Sequence, residues 1–246
     1  MSTEFYETNL TWNDRISSII GKNHSKIDSI ILERSPKLSF NSDGKINIDI
    51  MYPPENEIRE DSSPYDEYYQ CITNTFDLSK IETFCDIGCA TGHLVYNMVN
   101  DTDSCGIEYF QYHKDHADPF IKDSINIFDI RDVYEGDVKF DLVNCTEVAE
   151  HVDPKYLHVF LDNLRRITGK YLILTWSSTY PPQDAPPQHV SPLPSDDVIK
   201  IMNEWGFELD HEKSSKFLSE SNKYSNFYFW WRESLNVWKK CWHLII

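Results

Sequence analysis

From about residue 81 onward, short apolar runs alternate with longer stretches in which apolar residues recur at helical spacing. Short continuous apolar runs are typical of strands that are buried on both faces of a parallel sheet. The alternation therefore predicts an α/β fold with an open, mostly parallel sheet, whose ligands bind beyond the carboxyl ends of the strands. The predicted strands are Thr83–Ile87, Ser104–Ile107, Ile125–Phe128, Phe140–Asn144, Tyr171–Thr175, Phe207–His211 and Phe227–Trp231.

Three predicted helices between these strands have clear boundary signals. One begins at Gly92, directly after the first strand. Another begins with Asp153 as its N-cap and Pro154 as its first residue, an arrangement that helices favour. A third has Ser195 as its N-cap and ends at Gly206, where glycine permits the left-handed backbone of a helix end.

The first part of the chain has a different pattern, so residues 1–80 are predicted to form an N-terminal cap or extension and residues 81–246 the main domain. Isoleucines at helical spacing indicate two helices within residues 16–31. Alternating apolar residues on either side of an Asn-Ser-Asp-Gly turn predict a hairpin over residues 37–50. Residues 52–66 are rich in Pro, Glu, Asp and Ser, and are predicted to be a loop.

The loop after the first predicted strand, in the sequence FCDIGCATGHL, has the composition of a nucleotide-binding turn. Gly88 allows a sharp turn, Ala90 and Gly92 let backbone and ligand approach closely, and Asp86 ends the strand. A nicotinamide dinucleotide site is the natural alternative, but its third glycine or alanine is replaced here by His93. A histidine at that place would obstruct the close packing of helix and strand, which argues against a dehydrogenase.

Two further acids follow the neighbouring strands. Glu108 ends the second strand, about 20 residues beyond the loop, where an acid can accept hydrogen bonds from ribose hydroxyls. Asp129 follows the third strand and is placed to approach an adenine amine. The loop and the two acids together predict a site for an adenosine-containing cofactor, and they are more specific than a glycine loop alone.

Several of these segments match one known family. FCDIGCATG resembles the first motif of class I S-adenosylmethionine-dependent methyltransferases, and GIE resembles their second-strand acid. FDLVNCTEVAEHV resembles their fourth-strand motif, and NFYFWWRESLNVWKK looks like their last strand. The resemblance covers roughly residues 80–240 and implies a Rossmann-like, seven-stranded, mostly parallel sheet with the last strand antiparallel.

The resemblance also implies which residues bind S-adenosyl-L-methionine. The methionine part would lie against the loop after the first strand, the ribose against Glu108, and the adenine against Asp129 and Ile130. Ala90 replaces the more common glycine and is small enough to change the fit only slightly. The complete predicted set is Asp86, Gly88, Cys89, Ala90, Gly92, Glu108, Tyr109, Asp129, Ile130 and Thr146.

A candidate metal site follows the fourth predicted strand. Glu147, Glu150 and His151 would share one face of a helical turn, and His189 lies in a later loop. Two carboxylates and two imidazoles suit a divalent cation such as Mg, Mn, Fe or Zn. The pattern resembles the ubiquinone-biosynthesis O-methyltransferases and the small-RNA 3′-terminal 2′-O-methyltransferases, which use a divalent cation at the matching positions. The alternative remains that Glu-His only orders the turn, while His189 anchors its loop or acts alone as a base.

The composition narrows the class of partner. The formal net charge of −17 disfavours nonspecific binding of nucleic acid, because such binding depends on Lys and Arg releasing counterions. No run of 18 apolar residues occurs, so no membrane span is expected. Six cysteines without a C-x-x-C pair indicate reduced thiols and a cytoplasmic location. His113 and His116 are expected on a solvated helix face.

The sequence thus predicts an O-methyltransferase for a small-molecule or sugar-like hydroxyl, with His189, Glu147 and His151 as catalytic residues. The acceptor is expected near these residues and Trp176. An RNA 2′-O-methyltransferase is the alternative enzyme. A catalytically silent cofactor-binding or scaffold protein is the alternative of another class. The sequence leaves the oligomeric state open.

Overall fold

The computed structural model describes residues 62–177 and 189–241, together with Ser42. In these residues the helices are α1 Ser63–Thr75, α2 His93–Met98, α3 Gln111–Asp115, α4 Leu157–Ile167, α5 Ser195–Glu204, α6 His211–Ser221 and α7 Phe229–Ser234. Short 3₁₀ turns lie at Leu78–Lys80, Lys122–Ser124, Ala149–His151 and Pro154–Tyr156. The strands are β1 Thr83–Ile87, β2 Asp103–Glu108, β3 Ile125–Ile127, β4 Phe140–Cys145, β5 Thr168–Leu174, β6 Phe207–Leu209 and β7 Asn236–Lys240.

The described strands form one seven-stranded sheet in the order β3-β2-β1-β4-β5-β7-β6. β1 pairs in parallel with both β2 and β4, and β3 and β5 extend the parallel region on either side. β7 alone runs in reverse, because it is antiparallel to both β5 and β6. The predicted α/β, Rossmann-like fold is confirmed. The strand order changes direction between β1 and β4, and a crevice at this position is where open α/β sheets bind ligands.

The hydrophobic core lies on both faces of the sheet. Successive residues of each strand point to opposite faces, so Cys85 and Val143 pack under α4 and α5, while Phe84 and Leu142 pack under α1, α2 and α6. All four side chains are completely buried. Because helices cover both faces, polar strand-end residues can gather only at the edges of the sheet, and the carboxyl edge carries the candidate site.

The largest disagreement with the sequence prediction concerns the aromatic segment Phe227–Trp231. It is predicted as a strand, but the chain there enters α7, and the last strand follows only at Asn236–Lys240. Trp231 packs edge-on against Tyr68 of α1, and the ring of Phe227 lies parallel to the same tyrosine. The prediction was wrong because a short run that is apolar on all sides has no periodicity to distinguish strand from helix.

The N-terminal predictions are tested only at their edge. Helix α1 begins at Ser63, inside the loop predicted for residues 52–66, and Pro64 occupies its first turn, where its missing N–H costs nothing. The helices expected within residues 16–31 and the hairpin expected over 37–50 lie outside the described residues, apart from one exposed turn residue. Across the described ranges, every helix is too short or too polar to cross a membrane.

Candidate active site

The loop after β1 turns through three residues with left-handed backbone. The φ angles are +76° at Gly88, +49° at Ala90 and +82° at Gly92. Glycine adopts this region freely, whereas Ala90 does so at a cost of roughly 1–2 kcal/mol. The backbone N–H groups of Gly88 and Cys89 donate to the Ile107 carbonyl at 2.8 and 3.2 Å. The end of β2 therefore holds the loop in its strained form.

Both glycines of the loop also lie too close to neighbouring side chains to accept a larger residue. A Cβ at Gly88 would collide with the Cγ2 atom of Val148, in the segment after β4. A Cβ at Gly92 would lie 2.7 Å from Ile121 and 2.9 Å from Ile125. Glycine at these two positions is therefore required by the packing of neighbouring side chains, as well as being typical of a nucleotide-binding turn.

Glu108 supports the loop from the end of β2. It is only 5% exposed, and its carboxylate accepts the backbone N–H groups of Ala90 and Phe110, each at 2.9 Å. The Nδ1 atom of His113 lies 3.2 Å from the same carboxylate. A carboxylate has about four lone-pair sites, so Glu108 can still accept hydroxyl groups of a ligand.

His113 differs from its sequence prediction. It was expected on a solvated helix face together with His116, but it is 3% exposed. Helix α3 is a single turn against β2 and β3, so one of its sides is fully covered. His116 on the other side is exposed, as expected.

Asp86 stands at one end of a buried chain of two hydrogen bonds. The Nδ2 group of Asn144 on β4 donates to Asp86 Oδ1 at 2.7 Å, and the hydroxyl of Tyr68 on α1 donates to Asn144 Oδ1 at 2.7 Å. Burial, together with the charge of Glu108, raises the pKa of Asp86 to about 7, although the bond from Asn144 lowers it. The sequence places Asp86 correctly at the strand end, but gives no sign of its bond to Asn144 or of the bond from Tyr68 that continues the chain.

Asp129 lies after β3, as predicted, and a buried arginine binds it. The Nε and Nη2 groups of Arg131 each donate to the Asp129 carboxylate at 3.0 Å. The Nη1 group donates to Asp153 at 3.0 Å, and the guanidinium lies 5.6 Å from the ring centre of Tyr109. Arg131, which sequence reasoning missed, thus joins the segments that follow β2, β3 and β4. Asp153 has the predicted N-cap position, but its side chain makes no capping hydrogen bond.

The other predicted cofactor residues also follow strand ends. Cys89 is buried in the loop after β1. Ile130 is half-buried, and its carbonyl accepts the Asn163 side-chain amide at 2.8 Å. Thr146 is half-buried, and its Oγ1 atom lies 3.3 Å from Asn144 Nδ2. Each of these residues therefore belongs to the same carboxyl edge as the glycine loop.

Three potential metal ligands meet at this edge. Glu150 and His151 belong to the 3₁₀ turn after β4, and His189 is in the segment that returns from β5. The N–H groups of Val190 and Ser191 donate to the Glu150 carbonyl at 2.8 and 3.0 Å, which holds the returning segment against the turn. One ligand atom of Glu150, one of His151 and one of His189 all lie within 4.8 Å of one another.

Glu147 lies outside this group of three. Its backbone φ is +58°, so the predicted helical turn from Glu147 to His151 is wrong, and only the 3₁₀ turn beginning at Ala149 is helical. The Glu147 carboxylate accepts the Thr175 hydroxyl at 3.0 Å instead. Trp176, expected beside the acceptor, is 2% exposed and belongs to the core.

The surroundings of Glu150 disfavour its ionised form. Its side chain is completely buried, and neither oxygen has a hydrogen bond of normal geometry within the described ranges. Burial and then the charge of Glu147 raise the pKa of Glu150 well above its usual range, and nearby backbone N–H groups offset only part of this. A buried carboxylate in such surroundings is stable only when it is protonated or paired with a positive charge.

Comparison with known proteins identifies the family and agrees with the observed fold. A family model described as a methyltransferase domain matches residues 72–212, whereas no curated protein sequence matches. The fold is shared with the YcgJ protein from Bacillus subtilis, at a TM-score of 0.51, 12% identity and coverage of 72% of this chain and 99% of that one. Magnesium protoporphyrin IX methyltransferase from Synechocystis PCC 6803, solved with bound SAM, gives a TM-score of 0.49, 16% identity and coverage of 72% and 77%. The chain belongs to the class I S-adenosylmethionine-dependent methyltransferase family.

Proposed function

We propose that this protein is an O-methyltransferase that transfers a methyl group from S-adenosylmethionine to a hydroxyl of a small molecule, with help from a divalent cation. The observation that carries the proposal is the meeting of Glu150, His151 and His189. These residues lie at the sheet edge that also carries the glycine loop. A cofactor site and a cation site side by side suit a reaction that needs both a methyl donor and an acidified hydroxyl.

The cofactor residues are proposed from position and local geometry. The loop from Gly88 to Gly92 turns sharply at the carboxyl edge of the sheet, Glu108 keeps acceptor capacity for ribose hydroxyls, and Asp86 offers a carboxylate to the ammonium group. The bound cofactor supplies a sulfonium methyl group that is open to in-line displacement. The protein then has to align the acceptor and remove its proton, rather than form a covalent intermediate.

The residues present fit a divalent cation. Glu150 is a buried carboxylate without a hydrogen bond of normal geometry in the described residues, and two imidazoles lie within ligand reach of it. Glu150, His151 and His189 would hold the ion. Mixed carboxylate and imidazole ligands suit Zn, Fe or Mn better than Mg or Ca. A bound cation would acidify an acceptor hydroxyl and orient it.

The histidines and Glu147 have proposed roles of their own. In the absence of a bound cation, His151 or His189 can take the proton of the acceptor hydroxyl, because imidazole exchanges protons near neutral pH and its lone pair is then not used by the metal. Glu147 is held by Thr175 at the rim of the cluster, where its carboxylate can accept a second hydroxyl of the acceptor. The net charge of −17 favours a neutral or cationic small molecule over RNA as the acceptor.

Metal binding is tested by titrating Mn²⁺ and Zn²⁺ into the purified full-length chain. Wild type should bind one equivalent, and Glu150→Gln and His151→Ala should each weaken binding by at least tenfold. His116→Ala, which removes an exposed imidazole outside the cluster, is the matched control and should bind as wild type does. Equal affinity in all four proteins, with no metal found by elemental analysis, would reject the cation.

Methyl transfer is tested with labelled S-adenosylmethionine and three acceptor pools: catechols, polyols and total RNA. We expect label in the small-molecule pools, lost in excess chelator and in His151→Ala. Label in RNA with a steep salt dependence would instead support the RNA 2′-O-methyltransferase. Tight binding of S-adenosylhomocysteine without transfer to any pool would support the catalytically silent alternative.

A further inference from the structure

A chain of two buried hydrogen bonds connects the outer helix α1 with the end of strand β1. Tyr68 and Asn144 are each 1% exposed and Asp86 is 5% exposed, so bulk water does not reach the chain. The two bonds are equally short, at 2.7 Å each. The aromatic ring of Tyr68 is fixed by Phe227 and Trp231, which leaves its hydroxyl little freedom to move.

The order of donors along this chain depends on the charge of Asp86. An ionised carboxylate only accepts, so the Asn144 side-chain NH₂ must face Asp86 and its oxygen must face Tyr68, whose hydroxyl then donates. A protonated Asp86 can donate, so the amide can turn over and present its oxygen instead. By donating to the amide oxygen, Tyr68 favours the orientation of Asn144 in which the NH₂ group faces Asp86. This is the orientation that an ionised Asp86 requires.

The titratable groups around Asp86 lie on its own strand and on four neighbouring segments. Burial and the charge of Glu108 work against its ionisation, and the bond from Asn144 is what favours it. The other titratable groups around Asp86 are Tyr68 from α1, Cys89 from the loop, Cys105 from β2, Cys145 from β4 and Cys85 from its own strand β1. Without support from Asn144 the acid would therefore be neutral over a wider pH range.

We propose that Tyr68 and Asn144 are positioning residues that hold Asp86 in the orientation and charge state in which it binds the cofactor ammonium group. The inference rests on the proposed function, since it takes Asp86 to face the cofactor. It assigns a role in cofactor binding to helix α1, which carries no residue of the predicted site.

The test is the pH profile of S-adenosylhomocysteine affinity between pH 5.5 and 8.5, measured by calorimetry on the full-length chain. In wild type the affinity should rise with pH and level off above a midpoint near 7, because only ionised Asp86 attracts the ammonium group. Tyr68→Phe should move the midpoint upward. Binding should then be weaker by about three- to tenfold below pH 7, the worth of one hydrogen bond, and nearly unchanged at pH 8.5.

Tyr69→Phe is the matched control. Tyr69 is the next residue of the same helix, and its hydroxyl also bonds a carboxylate, that of the exposed Asp101. This variant should keep the wild-type midpoint. His113 beside Glu108 is the same in all three proteins and cannot produce a difference between them.

Three results would overturn the proposal. Uniform weakening of Tyr68→Phe at every pH would indicate damage to packing only, and a pH-independent wild-type affinity would refute the role of Asp86 without any variant. If Tyr68→Phe does not fold, Asn144→Asp replaces it, and its midpoint must rise above that of wild type, because two carboxylates would then share one proton; an unchanged midpoint in this variant is the third overturning result. Failure of wild type to bind S-adenosylhomocysteine at all would instead contradict the proposed function.

Discussion

Replacing Arg131 with lysine should destabilise the protein although the charge is kept. The guanidinium binds Asp129 through two groups and Asp153 through a third, and its side chain is only 1% exposed. A lysine ammonium is a single point of charge and cannot span both carboxylates. Asp153, with a side chain 3% exposed, would then lose its hydrogen bond from the guanidinium.

The magnitude follows from the bond that is lost. A hydrogen bond between charged groups is worth about 1.5–3 kcal/mol, and a domain of this size loses about 2–4 °C in Tm for each kcal/mol. Arg131→Lys should therefore lower Tm by about 3–12 °C in thermal unfolding followed by circular dichroism. Urea unfolding of the same variant should show the loss in the free energy of unfolding.

Arg165→Lys is the control, because Arg165 makes a comparable contact with Asp162 at the surface. Their side chains are 27% and 21% exposed, and such a pair is worth about 0.2–1 kcal/mol. This variant should unfold within about 2 °C of wild type. If Arg131→Lys unfolds at the same temperature as Arg165→Lys, the proposed bridge between the loops does not contribute to stability.

Two further substitutions test the loop after β1 and the carboxyl group of Asp86. Gly88→Ala should lower Tm and weaken S-adenosylhomocysteine binding by at least tenfold, because the new Cβ meets Val148 and the backbone is left-handed at this position. A wild-type Tm in differential scanning fluorimetry and a wild-type affinity in calorimetry would disprove this. Asp86→Asn should raise Tm at pH 8 while weakening binding. The pKa of Asp86 is about 7 when folded, against a normal value of 3.8, so the stability of the protein should fall as pH rises from 3.8 to 7, where the unfolded chain ionises this acid and the folded chain does not. The gain in Tm from Asp86→Asn should therefore be largest above pH 7, shrink as pH falls, and vanish only below the normal pKa of 3.8.

Features that depend on local sequence were predicted well. Strand β1 has the predicted boundaries, Thr83–Ile87, because an apolar run followed by a glycine loop marks both its ends. Helix α5 ends at Glu204, two residues before the predicted stop at Gly206. The apolar residues of this helix and the glycine that ends it are neighbours in sequence. In both cases the signal lies within a few residues of the feature it predicts.

Features that depend on distant contacts could not be predicted. Asp153 has the position of a helix N-cap, and nothing near it in sequence shows that its carboxylate binds Arg131. Likewise, the contact of His189 with the turn after β4 depends on the Glu150 carbonyl, and a carbonyl acceptor has no sequence signature. Residue types and positions after neighbouring strands predict His189 and Glu150 in one site, but they give no sign of the backbone contact that holds them together.

The same edge of the sheet gathers three carboxylates that are costly to bury. Asp86 and Glu108 end adjacent strands, Glu150 follows a third, and none is more than 5% exposed. Burial and neighbouring acids raise the pKa of Asp86 and of Glu150, so without a ligand these acids oppose folding at neutral pH. Ligands that carry positive charge, such as a sulfonium with its ammonium group and a divalent cation, would remove that cost and stabilise the folded state by mass action. The instability of this edge is therefore what we expect of a site that binds two cationic ligands.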